Sequence, residues 1–177
     1  MLLFIPIICL AQKNECKYIN PDKVKWSDYK GKPDYNKKKT DALTATSYQF
    51  SIASDTLGTH FVKAEIGILF CRGSSWVKSS QIAEKTLWER LLDHERLHLK
   101  LQMINAKKFK KQLLAIRSLD NINLNKLISD FSAADNQQSD LYDSETNHGR
   151  NEQAQKKWKT RIEKDYKNLK SVKLIGE

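Results

Sequence analysis

Two histidines and a glutamate stand close together near the middle of the chain, in the stretch LDHERLHL. His94 and His98 are four residues apart, so on a helix both imidazoles project from the same face, one turn apart. That spacing allows two ring nitrogens to bind one zinc ion at about 2.0–2.1 Å. Glu95 lies about 100° further round the helix, beside the ion, where its carboxylate can accept a proton from water activated by zinc. The pattern therefore predicts one catalytic Zn2+ ion with Glu95 as general base.

The two histidines continue an apolar stripe of a helix. Leu87, Leu91 and Leu101 recur at the 3.6-residue period, and His94 and His98 fall on the same line. We therefore expect both imidazoles to face the core, where an unpartnered polar group is costly. A metal ion would satisfy them. Hydrogen bonds to the backbone, or to tyrosine and aspartate side chains, are the alternative.

A catalytic zinc ion usually has three protein ligands and one open position. The metzincin pattern would require Gly and His where this chain has Leu101 and Ile104, so that pattern is excluded. Of the two remaining histidines, His60 follows a predicted turn, whereas His148 lies in the polar segment YDSETNHGRNE. We therefore predict His148 as the third metal ligand.

Several residues near His148 are further candidates for the site. Glu145 and Glu152 are the competing third ligands, and Gly149 would allow the backbone to approach the ion or the histidine helix closely. Tyr142 is a candidate catalytic residue whose hydroxyl could donate to the oxyanion of a tetrahedral intermediate. Asp143 could orient a ligand histidine through its other ring nitrogen, or cap a helix.

The elements that must position these residues follow one another along the chain. Residues 42–53 and 60–70 are rich in β-branched and aromatic residues and predict two strands joined by an SDTLG turn, with a short strand near residues 75–77. The histidine helix begins at a capping box at Thr86–Glu89, or earlier at Ser79 or Ser80. Helical periodicity then predicts helices over about 122–142 and 150–170. This order predicts an α+β fold, with a small N-terminal antiparallel sheet packed on a long HExxH active-site helix and C-terminal helices.

The composition and charge of the chain indicate which classes of partner it could bind. The 177 residues carry a net charge of +10, with 40% hydrophobic and 29% charged residues, as expected of one folded domain. The lysines are spread along helical segments as solvated faces are, and no nucleic-acid-binding motif accompanies them. We expect no nucleic-acid partner. Association with an anionic envelope surface is the alternative meaning of the charge.

The N-terminus predicts export. The apolar run from Leu2 to Ala11 is too short to span a membrane and has the length of a signal-peptide core. We expect residues 1–11 to be a signal peptide, residues 12–177 to form the mature domain, and the protein to be periplasmic or extracellular in a bacterium. Cys16 and Cys71 then form an even pair, and the sequence leaves open whether they make a disulfide bond.

With these motifs in view, the chain resembles the bacterial DUF922 family of secreted zinc-dependent proteases. The resemblance runs in order over most of the mature chain. It rests chiefly on the histidine helix and YDSETNHG, with support from WSDYKGKPD, ALTATSYQFS, SSWV and QAQKKW. It implies a zincin-like metallopeptidase in which His94 and His98 match the zinc pair, Glu95 the catalytic glutamate and His148 the downstream histidine.

The sequence thus predicts an exported zinc-dependent peptidase that acts on a peptide or protein substrate. Two alternatives stay open. One is a non-catalytic, zinc-stabilised envelope protein that binds an anionic partner. The other is a zinc amidase acting on cell-wall peptides, which shares the zinc chemistry and differs in substrate.

Overall fold

The computed structural model describes residues 16–177, so the predicted signal segment lies outside the described residues. The described chain is α+β, as predicted: short strands come first and three long helices follow. The strands are β1 (Cys16–Lys17), β2 (Ala42–Leu43), β3 (Thr46–Ser54), β4 (Phe61–Cys71) and β5 (Trp76–Val77). The helices are α1 (Lys85–Ala115), α2 (Leu124–Thr146) and α3 (Glu152–Asn168).

The main sheet is built on an antiparallel hairpin. β3 and β4 pair from Thr46 opposite Phe70 to Ser54 opposite Phe61, and the turn between them includes Gly58 at φ +70°. β1 adds to the other edge of β4, which gives the order β1-β4-β3. The β-branched and aromatic residues that predicted these strands form one face of the core, because such side chains pack well on a pleated surface.

The prediction of a single strand over residues 42–53 is wrong in one respect, because the segment forms two separate strands. β2 pairs with β5 in a separate two-stranded sheet, whereas β3 pairs with β4. Between them the Ala45 amide donates to the Ser75 hydroxyl at 3.0 Å, and the chain changes partner there. Alternation of side chains does not reveal which strand each half will pair with. The break leaves Thr44 facing α1, where its hydroxyl donates a hydrogen bond to Glu95.

The histidine helix is long and begins slightly earlier than the predicted capping box. It has 31 residues, and Glu84 is its N-cap without a side-chain capping bond. The predicted box at Thr86–Glu89 is therefore wrong: Thr86 lies inside the helix, and its hydroxyl bonds the Glu84 side chain. Residues 79–81 form a separate 3-10 turn.

The helices bury their apolar faces in two clusters. The sheet packs on α1 and α2 through a cluster that includes Ile66, Ile68, Phe109, Leu113 and Phe131. On its other side α1 packs against α2 and α3 through a second cluster, formed by Leu97, Leu101, Ile104, Tyr142, Trp158 and Ile162. Because both clusters include α1, this helix is the element on which the rest of the domain is assembled.

A disulfide bond joins Cys16 to Cys71, the pair that the sequence left open. It links β1 to the end of β4, where the two cysteines are partners in the strand register. No helix within residues 16–177 has both the length and the apolar character needed to cross a membrane.

Candidate metal centre

Three potential ligand atoms meet between α1 and α2. The Nε2 atoms of His94 and His98 are 3.1 Å apart, and Asp143 Oδ1 lies 2.9 Å from the first and 3.0 Å from the second. His94 is 1% exposed and His98 9% exposed. Within residues 16–177, these three side chains are the one group of histidine, cysteine or acidic residues whose ligand atoms converge in this way.

The donor set is one that could hold a metal ion, and its spacing can be compared with that of a zinc site. Zinc–ligand distances of about 2.0–2.1 Å at tetrahedral angles put ligand atoms about 3.3 Å apart, only a few tenths of an ångström more than here. Two imidazole nitrogens and one carboxylate oxygen are also ligand types that zinc accepts in catalytic sites. A small outward movement of the three side chains would therefore accommodate the ion.

Residues behind the histidines fix which nitrogen points into the site. Gln155 Oε1 lies 3.1 Å from His94 Nδ1 and accepts a second hydrogen bond from the Tyr142 hydroxyl at 3.0 Å. Because an amide oxygen only accepts, His94 Nδ1 is the donor to Gln155, and Nε2 is the ring nitrogen that points into the site. The Ser139 hydroxyl lies 2.9 Å from His98 Nδ1, so the other ring nitrogen of His98, Nε2, points into the site.

Glu95 is held in place by a chain of hydroxyl groups. It is 4% exposed, and its Oε2 accepts a hydrogen bond from Thr44 at 2.5 Å. Since the Thr44 proton is used there, the Tyr29 hydroxyl, 2.8 Å away, is the donor to Thr44. Burial, and next the negative charge of Glu95, raise the pKa of Tyr29 well above its usual value, so this donor keeps its proton.

The charges of Asp143 and the histidines reinforce each other. Burial opposes ionisation of Asp143, but hydrogen bonds from His94 and His98 outweigh it and hold the pKa of Asp143 far below its usual range. Burial likewise disfavours charged His98, yet the hydrogen bond and charge of Asp143, with a smaller contribution from Glu95, raise the pKa of His98. Asp143 is therefore a carboxylate, the form that binds a cation.

The three ligand atoms open into a cavity of about 350 Å³. Among residues 16–177, the charged residues that line it are four carboxylates, those of Asp41, Glu95, Asp140 and Asp143, with no lysine or arginine. Asp41 forms an ion pair with Arg150, which lies outside the lining. In a chain of net charge +10, this concentration of negative charge is local, and it favours a cation in the cavity.

His148, the predicted third ligand, lies beside the three converging atoms and not among them. Its Nδ1 is 3.4 Å from Asp143 Oδ1, and its side chain lines the same cavity. The geometry thus brings Asp143 into the ligand set ahead of His148. Ligation by His148 stays a prediction.

The other candidates occupy different surroundings. His60 is exposed at the β3–β4 turn. Glu145 accepts a hydrogen bond from Trp158 Nε1 at 2.7 Å, and Glu152 lies 3.4 Å from Arg90. Neither glutamate belongs to the converging set. The two acids are engaged with partners on α3 and α1 instead.

Tyr142 lies behind the histidines. It is fully buried, its ring stacks on that of His94 with centroids 4.5 Å apart, and its hydroxyl is bonded to Gln155. It does not line the cavity. This position suits a residue that orients His94 better than one that donates to an oxyanion.

Gly149 makes the close backbone approach that was predicted for it. Its φ is +78°, and a Cβ placed on it would lie 2.9 Å from both Cβ and Cγ of His94. The turn between α2 and α3 therefore packs directly on a site histidine. Only glycine combines this left-handed conformation with the absence of a side chain.

Among the residues that bond directly to His94, Glu95 or His98, sequence reasoning did not find Thr44, Ser139 and Gln155. Ser139 is four residues before Asp143 on α2, and Gln155 lies on the buried face of α3 with Trp158. A polar residue on an apolar helical face is a usable signal for both. Thr44 carries no such signal, because its position depends on the break between β2 and β3.

Comparison of this chain with protein-family models, with curated proteins and with solved structures finds no match.

Proposed function

We propose that this protein is an exported zinc-dependent peptidase of zincin-like fold, a member of the DUF922 family that its motifs resemble. The observation that carries the proposal is the convergence of His94 Nε2, His98 Nε2 and Asp143 Oδ1 within 3.1 Å of one another. These three residues would hold the zinc ion. His148 would then be an outer neighbour of Asp143 or, as the sequence predicted, a ligand itself.

The ion would supply Lewis-acid chemistry, because zinc lets a water molecule lose a proton near neutral pH and polarises a substrate carbonyl. In this proposal Glu95 would take that proton. Its Oε2 is occupied by the Thr44 hydroxyl, and Oε1 has no hydrogen-bond donor among residues 16–177. Glu95 can later return the proton to the leaving amine, as a general base acting as general acid in the second half of the reaction.

The hydrogen-bonding residues behind the site would hold the two imidazoles in one orientation. Gln155 and Ser139 orient the two imidazoles, and Tyr142 anchors Gln155 from the core. Such outer hydrogen bonds set the tautomer and direction of a metal-binding histidine. In this proposal Tyr142 is a positioning residue.

Replacing Glu95 by glutamine tests the proposal. Glu95→Gln keeps the shape of the side chain and removes the base, so hydrolysis of an unfolded protein substrate by the zinc-loaded chain should fall about 10²–10⁴-fold. Glu89→Gln, on the exposed face of the same helix, is the matched control and should leave the rate unchanged. Zinc content should be equal in all three proteins.

The outcome separates the rival functions. A zinc-stabilised binding protein would show no hydrolysis in the parent chain and no loss of any property in Glu95→Gln. A cell-wall amidase would lose turnover of peptidoglycan stem peptides in Glu95→Gln while the unfolded protein stays uncut by the parent. Either result would overturn the peptidase proposal.

A further inference from the structure

A second and larger cavity, of about 470 Å³, lies apart from the metal centre. It is formed by residues 18–21, the second half of α1, the end of α3 and residues 173–177. No residue of the described chain lines both cavities. Its volume is that of a typical small-molecule site, and the proposed peptidase chemistry makes no use of it.

The interior of this cavity is apolar. Ile68, Met103 and Leu174 are buried members of the core and form part of its wall. The rings of Tyr18 and Tyr166 also line it. An apolar chain entering this space would leave water for an apolar environment, which favours binding in proportion to the area removed from water.

Apart from the tyrosines, the ionisable residues that line it within positions 16–177 are four lysines and one glutamate. Lys107 is 2% exposed, and its Nζ lies 2.8 Å from Glu177 Oε1. The other oxygen of Glu177 accepts a hydrogen bond from the Leu174 amide at 3.0 Å. The buried lysine and the single acid therefore neutralise one another within the wall.

The three remaining lysines give the cavity an unbalanced positive charge. Lys167, Lys170 and Lys173 are exposed, and no carboxylate of residues 16–177 pairs with them. An apolar interior with three free ammonium groups on its solvent side is complementary to a molecule that has one apolar chain and one negative end. A neutral lipid would leave the lysines unused, and a small inorganic anion would leave the apolar interior empty.

We propose that this cavity binds a single-chain carboxylate, a fatty acid of medium chain length. The chain would lie among Ile68, Met103 and Leu174. The carboxylate would lie at the mouth among Lys167, Lys170 and Lys173. The proposal is independent of the metal centre and of the proposed hydrolysis.

Displacement of a dansyl-labelled fatty acid from the disulfide-bonded chain tests this assignment. Decanoate should displace the probe saturably at one site per chain, at least about tenfold more tightly than decanol, since only decanoate offers the charge. Butyrate, which has the charge without the chain, should not displace it. Absence of saturable displacement, or equal potency of decanoate and decanol, would overturn the proposal.

Charge reversal locates the carboxylate. Lys167→Glu combined with Lys170→Glu should weaken decanoate binding about tenfold or more. Lys156→Glu combined with Lys164→Glu makes the same change in net charge on exposed positions of α3 that do not line the cavity, and should change binding less than about twofold. Equal weakening in both double variants would mean that net charge, and not this cavity, attracts the ligand. Glu95→Gln should bind decanoate as the parent does, whatever its hydrolytic rate.

Discussion

Replacing Gly149 by alanine should destabilise the domain through two separate effects. An alanine at φ +78° adopts the left-handed conformation, at a cost of about 1–2 kcal/mol. Its Cβ would also lie 2.9 Å from Cβ and Cγ of His94, well inside the optimum carbon–carbon separation of about 3.5–4.0 Å. Relieving such overpacking costs about 1–3 kcal/mol. We therefore expect a total loss of about 2–5 kcal/mol and a fall in Tm of roughly 4–20 °C.

Gly58→Ala isolates the conformational part of that cost. Gly58 has φ +70°, yet beyond its chain neighbours no heavy atom of the described residues lies within 4 Å of the position of its added Cβ. Differential scanning calorimetry should show a fall in Tm of about 2–8 °C for Gly58→Ala. The Tm of Gly149→Ala should fall further. This variant should also bind zinc more weakly, because His94 must move. Equal falls in the two variants, with unchanged zinc affinity, would refute the contact between Gly149 and His94.

Two further predictions concern the disulfide bond and the hydroxyl on Glu95. Replacing Cys16 and Cys71 by alanine removes a cross-link between residues 55 positions apart. Loop-closure entropy then predicts that the free energy of unfolding falls by about 4 kcal/mol and the Tm by roughly 10 °C. An unchanged calorimetric Tm would contradict this. Thr44→Val removes a charge-assisted hydrogen bond, for which we expect kcat/KM of peptide hydrolysis to fall roughly 10–100-fold with zinc content unchanged. Thr44→Ser should restore most of the rate, and equal rates in the valine and serine variants would contradict the positioning of Glu95.

The elements of this fold follow from local patterns in the sequence. The period of 3.6 in Leu91, His94, His98 and Leu101 predicted one buried helical face, and all four residues are buried on α1. The later helices lie within a few residues of their predicted ends, because helical periodicity is a property of neighbouring residues. The division of the 42–53 strand was missed, since it depends on pairing with a strand more than thirty residues away.

Only the part of the candidate site that depends on neighbouring residues was predictable from the sequence. The positions of His94, Glu95 and His98 relative to one another are set by a single helix. The approach of Asp143 from α2 and of Gln155 from α3 is set by how three helices pack. The sequence placed Asp143 and His148 in one polar segment, but the last turn of α2 decides which of them points between the histidines.

Zinc affinity in ligand variants tests the central proposal most directly. The parent chain should bind one zinc ion, and Asp143→Asn should bind it at least about 100-fold more weakly, because a ligand is lost. Asp140→Asn, an exposed carboxylate of the same cavity one turn earlier on α2, is the control and should bind zinc like the parent. His148→Ala should lose affinity by about 10–100-fold if His148 supports Asp143 from outside the ligand set. Calorimetric titration that finds no zinc bound to the parent, or Asp143→Asn binding zinc as tightly as Asp140→Asn, would contradict the assignment of the metal centre.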